Sequence, residues 1–324
     1  MELKLQIRPF QFILTRPLQT AAGLIYAKEG WLLRLKAADG RTGWGEVAPL
    51  QCAHLPSCEK ALRDLASPAS VESFEQVVSG LPAAVAFGIG AALAELAGLV
   101  GSLSAEGWLE APESAELLPS GVQMLDRLDE LLIKTPDARG RSLTVKWKVA
   151  VEPDVQERQL LEQLLRKLPP QAQLRLDANG GWDRSTAYAW MDRLVGEPCF
   201  AWLEQPLAPN DQLGLNLLAR QGPVALDESL TLTPGLYQQW DGWQVRRPSQ
   251  EGDPRSILQE LRSGQPRWML SSSFETGIAR RWLDHLAALQ WDGPTPAAPG
   301  FAPGWCPQGP LFSADPEEVW RAAG

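Results

Sequence analysis

Five charged side chains in strand-like runs carry the chemistry this sequence can do. They are Lys146 and Lys148 in SLTVKWKVA, Asp177 in QLRLDANGGW, Glu204 in FAWLEQPL and Asp227 in VALDESL. The three acids stand 27 and 23 residues apart, one strand-plus-helix unit each. Each ends a run of strand character, and the C-terminal ends of parallel strands are where an α/β barrel keeps its chemistry. Carboxylates at neighbouring strand ends would aim hard oxygen ligands at one point, which suits Mg²⁺ better than Zn²⁺. Two ammonium groups crowded beside such an ion would have depressed pKa values, and one could then act as a base. The matching chemistry is removal of a proton α to a carboxylate, with the cation taking up the charge that develops. Singly, each residue has a plainer use. Asp177 suits a turn or N-cap, Glu204 a surface charge before Pro206, Asp227 a helix cap, and Lys-x-Lys the protection of an edge strand.

The elements that must position these residues alternate from about Leu117 onward. Strands are expected near LPSGV, SLTVKWKVA, QLRLDA, FAWLEQ, VALDE, WQVRRPS, RWMLSSS and PGFAP, with helices such as VQERQLLEQLLRKL, RSILQELRSG and IARRWLDHLAALQ between them. That rhythm implies a parallel sheet, and seven or eight repeats close naturally as a barrel. A period of two puts Leu143, Val145, Trp147 and Val149 on one face and Thr144, Lys146 and Lys148 on the other. In QLRLD it opposes Leu174 and Leu176 to Gln173, Arg175 and Asp177. An apolar face under helices with a polar face opposite is the pattern of a barrel with a wet mouth, since an open doubly wound sheet buries both faces.

Upstream, residues 1–110 read as an α+β unit. A three-stranded meander has its hairpin at Asp39-Gly40, and helical patterns follow at 58–66, 71–79 and 82–100. The polar, small-residue stretch Thr15–Lys28 reads as a long loop, either one that could close over a ligand, with Thr20 a candidate for substrate binding, or a plain disordered surface loop. Residues 111–304 would form the barrel, and the tail from about 305 to 324 would return to the N-terminal unit.

The chain of 324 residues accommodates one barrel and a smaller attachment. A net charge of −9 and the lack of a basic patch argue against nucleic acid or anionic membrane as partner and for a small molecule. Cys52, Cys58, Cys199 and Cys306 follow no zinc or disulfide spacing, and His54 and His285 are too few for a zinc cluster. The run 81–100 is interrupted by Pro82, Gly88, Gly90, Glu95 and Gly98, unlike a membrane span. MELKLQIRPF lacks a secretory signature, so a cytoplasmic protein with reduced thiols is expected. Oligomeric state is not legible.

The ordered set KWK, LRLDANGGW, WLEQPL, ALDES and SSSFETG resembles the enolase superfamily, in the muconate-lactonizing-enzyme-like subgroup with a lysine-bearing second strand. With GWGEVAPL near the N-terminus, it is most similar to the o-succinylbenzoate synthase family. The resemblance implies an α+β capping domain and a (β/α)7β TIM-type barrel. It also implies dehydration of 2-succinyl-6-hydroxy-2,4-cyclohexadiene-1-carboxylate to 2-succinylbenzoate in menaquinone or phylloquinone biosynthesis. By matching position, Asp177, Glu204 and Asp227 would bind Mg²⁺, or Mn²⁺ in its stead, and Lys148 would transfer the proton with Lys146 assisting. Asn179 would support the metal and substrate oxygens, and Arg175 would hold a substrate carboxylate. Ser271 and Ser272, at the seventh strand's exit, would offer backbone N–H groups to a carboxylate.

One departure bears on the reaction. Where the family has Lys-Pro on the sixth strand, this chain has Arg246-Arg247-Pro248, and no lysine follows Lys167. Arginine stays charged and is no base at neutral pH. Arg247 could stabilise charge or lie against a substrate ring, or it could form a plain ion pair. N-acylamino acid racemisation or dipeptide epimerisation needs a base on each face of the α-carbon, whereas syn elimination can use one lysine twice. The alternatives are such a racemase, a Schiff base on Lys148, and a barrel that binds ligand without turnover.

Overall fold

The computed structural model describes residues 2–20, 23–65, 69–134 and 143–324. They group into two compact units, one of Met1–Glu113, Arg246–Pro266 and Leu270–Gly324, the other of Ser114–Val245 and Arg267–Met269.

In the first unit β1 (Glu2–Thr20), β2 (Gly23–Ala37), β3 (Thr42–Val47) and a short β4 (Ala69–Ser70) form a sheet in the order β3-β2-β1-β4. Helices α1 (Leu55–Asp64), α2 (Val71–Val78) and α3 (Ala83–Leu96) accompany it. β1 pairs with β2 from Leu3↔Ala37 to Ile13↔Ala27 and, after a register shift, from Leu18↔Ile25 to Thr20↔Gly23. Among its described residues the expected loop at Thr15–Lys28 is therefore strand, with Leu18–Thr20 paired to Gly23–Ile25 and Ala27 and Lys28 paired to Ile13 and Phe12, and this ladder satisfies backbone groups that a long loop would leave to water. Thr20 stands opposite Gly23. Its side chain, with residues 21 and 22, lies outside the described ones.

The apolar run at 81–100 is α3, buried from Ala84 to Leu96. β3 meets it through Gly43 and Gly45, where a Cβ would stand 2.0 Å from the Ala92 and Gly88 carbonyl oxygens. Only glycine allows that approach.

Arg246–Pro266 and residues 270–304, expected in the barrel domain, cluster with this unit because their helices bind α3. The Asp253 carboxylate touches Gly90, and Arg281 pairs with Glu95 at 2.8 Å. The tail folds onto the N-terminal sheet, with the Trp320 ring 5.8 Å from Trp44 and the Arg34 guanidinium 4.6 Å from the Trp320 ring.

The second unit alternates β5 (Glu116–Leu118), α4 (Gln123–Lys134), β6 (Thr144–Lys148), α5 (Asp154–Lys167), β7 (Gln173–Asp177), α6 (Arg184–Leu194), β8 (Phe200–Glu204), α7 (Gln212–Leu218), β9 (Val224–Leu226), α8 (Glu228–Leu232) and α9 (Leu236–Gln239). Next come β10 (Trp243–Arg246), α10 (Pro254–Arg262), β11 (Trp268–Leu270), α11 (Gly277–Trp291) and α12 (Pro316–Ala322), with the sequence beyond Val245, save Arg267–Met269, counted in the first unit. The seven strands β5 to β11 lie in sequence order. From β5 to β10 each strand pairs in parallel with the next.

Val145, Trp147, Leu174, Leu176 and Leu203 from alternate strand positions share one buried cluster with Leu161, Leu164, Trp190 and Leu194 from the helices. Each such side chain contributes about 1.5–3 kcal/mol by leaving water. The proposed PGFAP strand is reduced to a parallel bridge between Ser271 and Gly300. Among the described residues no helix is long and apolar enough to cross a membrane.

Candidate active site

Register sets the site. Lys148 lies opposite Asp177 and Asp177 opposite Glu204, while one step back Lys146 lies opposite Arg175 and Arg175 opposite Trp202. Because the leucines and Trp147 bury the other face, these side chains share the polar one. Lys146 Nζ sits 2.7 Å from Asp177 Oδ2 and 2.6 Å from Glu204 Oε1. Burial works to lower the Lys146 pKa, but Asp177 and Glu204 outweigh it and raise it above the ordinary value. The expected depression is thus reversed at Lys146, because two carboxylates hold its ammonium. Glu204 is 0 % exposed, and burial pushes it up to about 7, with Lys146 opposing and the charges of Asp177 and Asp227 adding. Arg175 is buried with its guanidinium 4.2 Å from the Trp202 ring. Burial lowers it to about 9 against the attraction of Glu204. Its Nε and Nη1 have no hydrogen-bond partner.

The strand exits are held by side chains that sequence reasoning missed. Gln205, fully buried with φ 37, accepts the N–H groups of Asp227 at 3.2 Å and Ser229 at 3.0 Å, so it fixes the end of β9 from the end of β8. Glu157 accepts the N–H groups of Ala150, Val151 and Glu152 at 2.9–3.0 Å behind Lys148. Asn179, with φ 44, donates its N–H to Asp177 Oδ1 at 3.0 Å and its side-chain amide to Glu228 Oε1 at 3.0 Å. Burial, with the charges of Asp227 and Asp177, raises Glu228 to about 7. The adjacency of Glu228 to Asp227 in LDES was the available signal. Asp177 does serve a turn through one oxygen, but Asp227 makes no side-chain capping bond to α8, and the burial of Glu204 rules out a surface charge.

Among the described residues no group of three or more His, Cys, Asp or Glu side chains is gathered closely enough to hold a metal ion as it stands. Lys146 supplies the countercharge between two of the acids. The donor set nevertheless fits a hard cation. Glu204 Oε2, Glu228 Oε2 and Asn179 Oδ1 are buried acceptor oxygens without a hydrogen-bond partner, and such atoms in a native fold call for a donor or a cation.

Arg247, Ser271 and Ser272 belong to the first unit and are brought to one another. Arg247 Nη1 donates to Ser271 Oγ at 3.2 Å and to the Ser272 carbonyl at 2.9 Å. The buried ion pair is made by Arg246, with Glu251 at 2.6 Å. Backbone N–H groups expected to hold a carboxylate are taken. Ser271 donates to the Arg246 carbonyl, Ser272 to the Gly300 carbonyl and Ser273 to Glu275. The Ser272 hydroxyl donates to the Phe301 carbonyl at 2.7 Å.

A parallel α/β sheet with acids at the ends of consecutive strands beside a Lys-x-Lys strand defines an enolase-type protein. Residues 137–238 match the family model "Enolase C-terminal domain-like", and residues 14–96 match "MenC, N-terminal domain". The o-succinylbenzoate synthase of Thermosynechococcus vestitus (strain NIES-2133 / IAM M-273 / BP-1) is 35 % identical over 302 residues, 88 % of each chain. That of Salmonella newport is 28 % identical over 81 % of this chain and 83 % of its own. The crystal structure of o-succinylbenzoate synthase from Thermosynechococcus elongatus BP-1, complexed with Mg in the active site, superposes with a TM-score of 0.82 at 31 % identity, covering 98 % of this chain and 99 % of that one. A dipeptide epimerase from Enterococcus faecalis, at 19 % identity, 92 % and 90 % coverage and a TM-score of 0.70, shares the fold. The chain belongs to the o-succinylbenzoate synthase family of the enolase superfamily.

Proposed function

We infer that the chain is a hydro-lyase that dehydrates 2-succinyl-6-hydroxy-2,4-cyclohexadiene-1-carboxylate to 2-succinylbenzoate in menaquinone or phylloquinone biosynthesis. The observation that carries this is the row Lys148, Asp177, Glu204 at adjacent strand ends, with Lys146 clasped between the acids. The Lys148 amine takes the proton from the carbon α to the carboxylate. As the C–O bond on the same face breaks, the same nitrogen returns that proton to the departing hydroxide, so water leaves and the ring becomes aromatic. Asp177, Glu204 and Asp227 would hold Mg²⁺, or Mn²⁺ in its place, with Asn179 and Glu228 adjoining. The ion would supply positive charge beside the substrate carboxylate while negative charge builds there. Lys146 offsets the acids' charge, and the unpartnered N–H groups of buried Arg175 await a carboxylate oxygen.

Arg247, anchored by Ser271 and Ser272, is assigned to substrate charge or ring stabilisation, and Thr20 is kept as a candidate for substrate binding. The seven parallel strands are read as those of a (β/α)7β barrel, with the Ser271–Gly300 bridge in place of the last strand and the N-terminal sheet as its capping domain. The four cysteines are free thiols, which supports a cytoplasmic location.

The racemase alternative is disfavoured because the sixth strand offers arginine where a second base would be needed. The test follows aromatic product by ultraviolet absorbance with Mg²⁺ and with EDTA, alongside α-deuterium exchange in N-acylamino acids. Mg²⁺-dependent product with negligible exchange is expected. EDTA-insensitive turnover, or exchange with inversion as fast as dehydration, refutes the assignment.

A further inference from the structure

In SSSFETG, Phe274 has a backbone φ of 65, a left-handed conformation that is an outlier for an aromatic residue. Such a backbone persists only where its surroundings over-determine it. The Phe274 ring is buried, 6.3 Å from Trp305, while the polar constraint comes from the next side chain. Glu275 Oε1 accepts the Ser273 N–H at 2.8 Å and the Ser249 hydroxyl at 2.6 Å. One oxygen therefore closes the turn over Phe274 and ties the exit of β11 to the exit of β10, two residues past Arg247. Glu275 is 2 % exposed and its Oε2 has no hydrogen-bond partner, so a full carboxylate is kept out of water to make these two bonds. Its charge faces the ammonium of buried Lys28, which donates to the Ala48 and Pro49 carbonyls. On the following residue, the Thr276 N–H and hydroxyl donate to Glu46 at 3.0 and 2.5 Å. The serine-rich exit is thus pinned from both sides.

We propose that Glu275 is a positioning residue for Arg247. By fixing Ser271–Ser273 against the exit of β10, it holds the Ser271 hydroxyl and the Ser272 carbonyl where they receive the guanidinium. The consequence for turnover rests on the reading of Arg247 as a substrate contact, whereas the clamp itself does not.

Two measurements separate these. Hydrogen exchange on the unmutated protein and on Glu275→Ala and Glu275→Gln reads the clamp. The amides of Ser271–Phe274 should exchange about tenfold faster in Glu275→Ala and nearly as in the unmutated chain in Glu275→Gln, whose amide oxygen still accepts both bonds. Kinetics read the consequence. Glu275→Ala should raise KM about tenfold with kcat little changed, Glu275→Gln should restore it, and in an Arg247→Ala background Glu275→Ala should add less than about twofold. Ser249→Ala, which removes one of the two bonds, should fall between. Unchanged exchange in Glu275→Ala overturns the clamp. Effects of Glu275→Ala and Arg247→Ala that simply multiply overturn its action through Arg247. A protein that makes no aromatic product but shows the exchange pattern keeps the clamp and loses the proposed reaction.

Discussion

Replacing Lys146 by methionine should destabilise the metal-free protein far more than loss of a surface lysine, and Mg²⁺ should restore much of the deficit. Lys146 Nζ lies 2.7 Å from Asp177 and 2.6 Å from Glu204, both buried. At an effective dielectric near 20, each contact is worth about 6 kcal/mol of Coulomb attraction before desolvation is subtracted. Methionine keeps the apolar stem but leaves the carboxylates without their countercharge, and removing one partner of a buried pair costs about 3–5 kcal/mol. With a urea dependence near 3 kcal/mol per molar, that is a drop in midpoint of about 1–1.7 M. Saturation with Mg²⁺ at about 100 times its dissociation constant returns about 2.7 kcal/mol if only the folded state binds it. Urea titrations of both proteins in EDTA and in Mg²⁺, read by tryptophan fluorescence, measure all four midpoints. A loss below about 1 kcal/mol in EDTA, the size of an exposed pair, would show that the clasp contributes no more than surface charge. An equal loss with and without Mg²⁺ would show that binding of the ion does not depend on Lys146.

Lys148→Ala should lower kcat by about 10²–10⁴-fold, and calorimetric Mg²⁺ binding should persist because the acids are untouched. Unchanged product formation would remove Lys148 from the reaction. Stability should also depend on pH through three buried groups outside this site. Burial raises Glu46 and Glu95 from 4.5 to about 7, so their contribution is full below pH 4.5 and is lost as pH rises through 7. Burial lowers Lys28 from 10.5 to about 8, so the cost of its charge is relieved between pH 8 and 10.5. Urea midpoints should therefore fall from pH 4.5 to 7, be lowest near pH 7–8 and rise above. The limit is about 3 kcal/mol per group, and Glu95→Gln should flatten the acid-side fall. A midpoint that rises steadily from pH 4.5 to 7 would contradict this.

The parity of SLTVKWKV and QLRLD was legible because leucine, valine and tryptophan on alternate positions leave lysine, arginine and aspartate no other face, and register then aligns Lys148, Asp177 and Glu204. The stretch Thr15–Lys28 was misread as a loop because its small polar residues carry no strong strand alternation, whereas a ladder running from Leu3↔Ala37 to Thr20↔Gly23 satisfies its backbone whatever the side chains. The grouping of Arg246–Pro266 with the N-terminal unit was equally hidden. It depends on Gly90 and Asp253 touching across more than a hundred residues of sequence, and no local pattern encodes that. Gln205, Glu157 and Glu275 escaped notice for the same reason. Each holds backbone N–H groups or a hydroxyl outside its own element, and a lone Gln or Glu in a sequence carries no sign of such a bond.

The two lysines of β6 are not interchangeable, and the difference follows from their rows. Lys146 lies one step back, opposite Arg175, and its side chain reaches forward to donate to both Asp177 and Glu204, so its proton is held by the strongest acceptors nearby and its pKa is driven up. A group so held is a poor base, because taking up another group's proton would first require giving its own to a carboxylate. Crowding by like charge, the argument the sequence suggests for both, therefore does not apply to Lys146. Lys148 stands in the front row opposite Asp177, which is why the proposed reaction gives it the proton transfer, while Lys146 makes it tolerable to bury so many carboxylates side by side. The same division is consistent with the proposed use of one lysine in both halves of a syn elimination. With Lys146 committed and Arg247-Pro248 where the family has Lys-Pro, the sequence offers no second lysine on the sixth strand to act as a base.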